Sequence, residues 1–105
     1  MAYFRHMVLV KFKEGVVAED MVKSSEELVK KIDVVKSFEW GEDIGTPGTL
    51  RQGYTHAFVM KFNNKDDYET FRTHPEHEKT SAKFQAAVEK LIQLNFPAIL
   101  VTAAA

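Results

Sequence analysis

The sequence has 105 residues, of which 45% are hydrophobic and 28% charged, and a formal net charge of -1. That is enough chain for one domain with one core, and the near-neutral charge gives no electrostatic footprint for nucleic acid or an anionic membrane. Cysteine is absent, which excludes disulfides and thiolate metal sites, and no stretch approaches the ~20 apolar residues of a membrane span.

Met1 to Lys13 interleaves charged and apolar residues instead of forming the apolar run of a signal peptide, so a cytoplasmic protein is expected. Tyr3 to Phe12 is rich in β-branched and aromatic residues and predicts a strand. Its alternation puts His6, Val8, Val10 and Phe12 on one face and Arg5, Met7, Leu9 and Lys11 on the other. From Ala18 to Ile32 the period changes to that of a helix. Ala18, Met21, Val22, Ser25, Leu28, Val29 and Ile32 share one stripe, with Ser25 its only polar member. Val35 to Trp40 predicts a second strand with Phe38 and Trp40 on the same side. Gly41 to Gly53, punctuated by glycine and proline, predicts a loop.

Tyr54 to Phe62 predicts a third strand carrying Tyr54, His56, Phe58, Met60 and Phe62 on one face. Asn64, followed three residues later by Asp67, marks the start of a short helix that holds Tyr68 and Phe71. Pro75 disfavours helical geometry at His74 and should stop that helix near Thr73. A further helix is expected from Glu76 to Gln93, with Phe84, Ala87, Val88, Leu91 and Ile92 as its apolar stripe. Leu94 to Val101 predicts the last strand. Pro97 within it requires an edge position or a missing ladder bond. Thr102 to Ala105 reads as a frayed tail.

The order β–α–β–β–α–α–β predicts an α+β, ferredoxin-like fold over residues 1–105, a four-stranded antiparallel sheet with its helices on one face. The first, third and last strands carry apolar residues on both faces, for example Met7 and Leu9 behind Val8 and Val10, and Ala57 and Val59 behind Phe58 and Met60. An antiparallel sheet with one wetted face should alternate cleanly. A homodimer through the helix-free sheet face is the expected solution, because a large apolar face is a liability in a monomer and two-fold closure is the commonest way to bury it.

The residues that can carry chemistry are few. His6 and His56 lie on what should be the central strand pair and are expected to be neighbours. His74 and His77 flank Pro75. With Ser25, Trp40, Tyr68 and Phe71 they are candidate walls of a pocket between sheet and helices, in which a neutral imidazole takes a proton near pH 7. The plainer reading makes His6 and His56 hydrogen-bonded core residues and His74 a helix-end residue bonded to local backbone. No metal site is expected, since Pro75 separates His74 from His77 and no third ligand stands out. No cofactor is expected either, since the sequence has no Gly-rich turn between a strand and a helix to cradle a phosphate. Ser24 and Ser25 have no adjacent histidine to suggest a nucleophile.

Several segments are more specific. They are His6 followed by Val8 to Lys13, Lys36 to Asp43, Arg51 to Phe58 with its Gly-Tyr-Thr-His run, His74-Pro75-Glu76-His77, and Asn95-Phe96-Pro97. Together, and in this order, they resemble the plant stress-responsive α/β-barrel (Dabb) family over nearly the whole chain. The resemblance implies a dimeric α/β barrel, a homodimer whose two sheets enclose a central barrel, and a link to stress responses. It is consistent with a stress-associated protein that binds a small hydrophobic metabolite. The alternative it implies is an enzyme resembling a polyketide cyclase, or an isomerase, with His77 as general base in intramolecular aldol chemistry and His6 and His56 beside it. In that enzyme pattern a tyrosine stands three residues before the first histidine of the His-Pro-x-His segment. Here that position is Phe71, which has no hydroxyl to offer developing negative charge.

Overall fold

The computed structural model describes residues 2–103; of the expected tail, Ala104 and Ala105 lie outside the described residues. The elements run β1 (Ala2–Phe12), α1 (Ala18–Lys31), β2 (Ser37–Glu42), α2 (Gly48–Arg51), β3 (His56–Phe62), α3 (Lys65–Arg72), α4 (Pro75–Ala87) and β4 (Val88–Ile99). The four strands form one antiparallel sheet in the order β2-β3-β1-β4. The fold is therefore ferredoxin-like α+β. Pro97 lies on an outer strand, where a missing amide donor is tolerated.

Local chemistry explains most of the boundaries. Asn64 caps α3 by accepting the Asp67 amide at 2.8 Å, with Asp66 and Asp67 in the first turn against the positive end of the helix dipole. Such a cap contributes about 1 kcal/mol. Pro75 opens α4 at a position where its missing N–H costs nothing, and His74 caps that helix by accepting the Glu76 amide at 3.1 Å. In α1, Met21, Val22, Ser25 and Leu28 are buried against the sheet.

Several boundaries depart from the sequence reading, among them the ends of β2 at Glu42 rather than Trp40 and of β4 at Ile99 rather than Val101. The loop from Gly41 to Gly53 contains a single helical turn, α2, too short to leave a periodic signal. β2 begins at Ser37 rather than Val35, because the Val35 amide bonds the Ile32 carbonyl at 3.2 Å and is turned away from the sheet. β3 begins at His56 rather than Tyr54. The largest difference is at the end of the chain. α4 stops at Ala87, and the residues expected to continue it to Gln93 form the first half of β4. The spacing of Val88, Leu91 and Ile92 satisfies a helical stripe, but β1 is eleven residues long and its outer edge is satisfied only by an equally long partner. Val88 pairs with Phe12, Leu91 with Val10, Ile92 with Leu9 and Gln93 with Val8. Sheet pairing overrides local periodicity here. The ladder bulges opposite Lys11 and Phe12, absorbing the change from helix to strand.

Every helix-facing strand position follows from this register. On that side the sheet carries two packed clusters. One gathers Phe4, Leu28, Ile32, Met60, Phe62, Tyr68 and Phe71. The other gathers Val10, Val22, Phe58 and Val88. His6 and Val8 lie between them, since β1 contributes Phe4 to the first cluster and Val10 to the second. The opposite face carries Met7, Leu9, Ala57, Val59, Ile92 and Leu94; none of the long helices covers it, and only the single turn α2 and its loop reach one end, where Leu50 and Arg51 line a hollow with Leu9, Ala57 and Ile92. Ile92 is 41% exposed and Leu94 55%.

Candidate functional site

α4 explains why the space between the two clusters is open. The helix has no buried residue, and it turns His77, Thr80, Ser81, Phe84 and Gln85 toward the sheet. Small and polar side chains there leave a cavity of about 260 Å³. Its apolar walls are Val8, Leu28, Phe38, Phe58, Met60 and Phe84, and its polar groups include His6, Ser25, Tyr68 and His77. A mostly apolar concavity with a few convergent polar groups is the usual form of a small-molecule site.

The polar groups are held in defined states. His77 sits in the first turn of α4, and its Nδ1 is 2.9 Å from the Arg72 carbonyl oxygen. A carbonyl only accepts, so Nδ1 carries the hydrogen and Nε2 keeps its lone pair. Burial lowers the His77 pKa below the ordinary histidine value, against the opposing pull of the Arg72 carbonyl and Glu78. The Phe71 ring packs on the imidazole at 4.5 Å. His6, on β1, is directly opposite Asn95 on β4, and its Nδ1 lies 2.6 Å from Asn95 Oδ1. Its pKa is lowered by burial first, and a charge on His77 lowers it further, while the Asn95 bond opposes both. Tyr68 stacks on Phe4 at 5.3 Å, and its hydroxyl oxygen accepts from Gln93 Nε2 at 3.3 Å. Burial raises the Tyr68 pKa, so it stays a phenol. Ser25 Oγ donates to the Met21 carbonyl at 3.1 Å, and only its lone pairs remain for a ligand.

Of the eight candidate residues, His6, Ser25, Tyr68 and His77 line this cavity. Phe71 is buried behind His77 rather than in the wall. His56 is not a neighbour of His6. It pairs with Val10 while His6 pairs with Met60, which separates the two by four residues, roughly 14 Å along the sheet. His56 instead bonds Thr55 Oγ1 through Nδ1 at 2.8 Å and packs edge-on to Phe12 at 5.3 Å. Trp40 stacks on His56 at 6.5 Å, at that same distant end. His74 is the cap of α4. Gln93 was not singled out from the sequence, because the helix expected as far as it hid its alternation with Ile92 and Leu94; Asn95 fell in the expected last strand, but only the register shows that it faces His6. Among the described residues no group of three or more His, Asp or Glu side chains is gathered to hold a metal ion, and no helix is long and apolar enough to cross a membrane.

The two depressed histidines make stability depend on pH. Each is bound to fewer protons in the folded chain than in the unfolded chain below the ordinary value of 6.5. Their contribution is complete above that pH and is lost as pH falls through the folded values. The depressed carboxylates Asp43, Glu69 and Glu89 act in a lower window, below their ordinary values of 3.8 and 4.5. Denaturation midpoints are therefore expected to fall from neutral pH to pH about 5. A His6→Gln, His77→Gln double variant should flatten that slope. An unchanged slope would contradict the burial of the two imidazoles.

Comparison with known proteins gives the same fold and a family pattern. The profile of the stress responsive A/B barrel domain (Dabb) matches residues 4–98. A stress-response A/B barrel domain-containing protein of Arabidopsis thaliana is 52% identical over 94 residues, covering 90% of this chain and 85% of the relative. Olivetolic acid cyclase of Cannabis sativa is 26% identical over 95 residues, covering 88% and 93%. Among solved structures, an Arabidopsis thaliana protein superposes with a TM-score of 0.86 at 30% identity, covering 95% of this chain and 99% of that one. A protein of unknown function from Bacteroides fragilis, described as dimeric and ferredoxin-like, superposes with a TM-score of 0.66 at 25% identity over 91% and 96%.

Proposed function

The chain belongs to the stress-responsive A/B barrel (Dabb) family, and from that membership and the cavity together we propose that it is a homodimer in which each copy holds one small, largely apolar molecule bearing a hydroxyl or carbonyl group. The observation that carries the reading is the meeting of Tyr68, His6 and His77 in a single cavity of about 260 Å³ with apolar walls. The dimer is supported by the uncovered apolar face of the sheet and by the dimeric description of the Bacteroides relative.

A second reading is favoured by one specific observation. Fixing His77 through Nδ1 leaves Nε2 as a base, and burial keeps the ring neutral at pH 7. A carbonyl compound in the cavity then loses an α-proton to Nε2, and Tyr68 donates its hydroxyl hydrogen to the enolate oxygen. This is the first step of the aldol chemistry implied by similarity to the cyclase. Tyr68 lines the cavity although Phe71 cannot supply a phenol, so the missing tyrosine does not remove the donor.

Both readings are tested with methyl 3-oxooctanoate as probe. Binding is expected to move the backbone NMR resonances of Ser25, Tyr68 and His77 and to leave those around His56 unmoved. Probe contact elsewhere, or none at millimolar concentration, would rule out the cavity as the site. For the base, exchange of the probe's α-protons with solvent deuterium is expected to slow by about 10²-fold or more in His77→Gln. Binding without catalysed exchange would leave the holder and remove the enzyme.

A further inference from the structure

β4 places two exposed amide side chains on the helix-facing side of the sheet, opposite residues that line the cavity. Asn95 faces His6 and Gln93 faces Val8. Directly paired residues in an antiparallel ladder have Cβ atoms about 4.5–5.5 Å apart, so the short Asn95 amide reaches His6 Nδ1, while the longer Gln93 extends to the Tyr68 hydroxyl. The polarity of each bond is fixed by what its oxygen can do. Asn95 Oδ1 only accepts, so His6 must present N–H at Nδ1 and a lone pair at Nε2. Tyr68 receives the Gln93 hydrogen on its oxygen and has its own hydrogen free to donate. His77 is held in the same state as His6 by the Arg72 carbonyl.

The two histidines are thus locked by acceptors of different origin into one tautomer, and each keeps a bare Nε2 acceptor beside the Tyr68 phenol, in a wall that also carries Arg72, Thr80, Ser81, Gln85 and Gln93. We infer that Asn95 is a positioning residue that fixes His6 as the Nδ1–H tautomer, and that through it the site selects ligands by their hydroxyl hydrogens, taking a hydroxyl compound over its methyl ether. A buried acceptor left without a donor costs more than a lost contact, and the ether leaves Nε2 in that condition. This deepens the reading of the cavity as a binding site and depends on it for the ligand preference, though not for the tautomer.

The experiment separates the two. Long-range 15N-1H correlation spectra of the free protein at neutral pH are expected to show His6 with protonated Nδ1 and bare Nε2. Asn95→Leu removes the acceptor and should move His6 toward the Nε2–H form that imidazole prefers in water. Asn95→Asp keeps an acceptor and should restore the Nδ1–H form. A wild-type His6 protonated at Nε2 overturns the inference without any variant having to fold. In calorimetric titrations with 4-propylphenol and 4-propylanisole, wild type is expected to prefer the phenol by about tenfold, and Asn95→Leu to lose part of that preference, the His77 acceptor being untouched. An equal preference in both proteins, with the tautomer switched, overturns selection through Asn95. Failure of both probes to bind wild type overturns the cavity as a binding site, and the spectra still decide the tautomer.

Discussion

Replacing Leu94 with glutamate on the helix-free face is expected to convert a two-copy assembly into single chains. The wild-type protein should sediment at twice 12.0 kDa and the variant at 12.0 kDa. Leu94 is 55% exposed in one copy, so the substitution removes little that holds the single fold together. In the proposed dimer the same position would be buried with its neighbours Met7 and Ile92 on the helix-free face. A carboxylate buried there without a partner costs about 3 kcal/mol or more. Two-fold symmetry applies the cost twice, which raises the dissociation constant by roughly 10⁴-fold. Circular dichroism of the variant should remain that of the folded chain. A wild type that sediments as one chain at micromolar concentration would remove the dimer from the proposal and leave the cavity standing.

The second large effect lies in the core. Phe62 is fully buried and packs its ring on Tyr68 at 5.5 Å and Phe71 at 5.3 Å. Phe62→Ala is expected to cost about 4 kcal/mol, the lost transfer energy of the ring plus the void it leaves. That is a large share of the 5–15 kcal/mol typical of a domain, and urea denaturation would measure it directly. Ile44→Ala is the control. Ile44 is wholly exposed, and its truncation should stay within about 0.5 kcal/mol. Because the Phe62 cluster also holds Tyr68 and the back of His77, its loss should weaken probe binding as well. Equal effects at Phe62 and Ile44 would contradict the packing described for β3 and α3.

What could be read in the sequence depended on whether a signal was local. β1, α1 and α3 are legible because alternation, a 3.6-residue stripe and the Asn64 cap are each contained in a short window. The face that each strand residue occupies is legible too, since alternation alone places His6 with Val8 and His56 with Phe58. Register is not local. Nothing within β1 or β3 says that His56 sits opposite Val10, and that register separates the two histidines and takes His56 and Trp40 out of the cavity. The end of α4 failed for a related reason. Val88, Leu91 and Ile92 fit either period, and only the unpaired length of β1 decides between them. With that choice went Gln93, whose role requires a strand, whereas the pairing of Asn95 with His6 is again a matter of register. His74 was legible as a helix-end residue from Pro75, and as a pocket residue it was not supported. Ser25 was legible as the polar interruption of an apolar stripe, while the void beside it arises from small residues on α4, a helix without a strong stripe of its own.

β4 also bears on how the chain behaves in company. It is an outer strand of twelve residues, long enough to template the growth of fibrils if its free backbone edge were straight and complete. It is neither. A proline removes one amide from the strand near one end, and the bulge bends the other. An incoming stranger would meet a warped and interrupted row of hydrogen-bonding groups, so the same irregularities that let a helix turn into a strand also guard the sheet against indiscriminate extension.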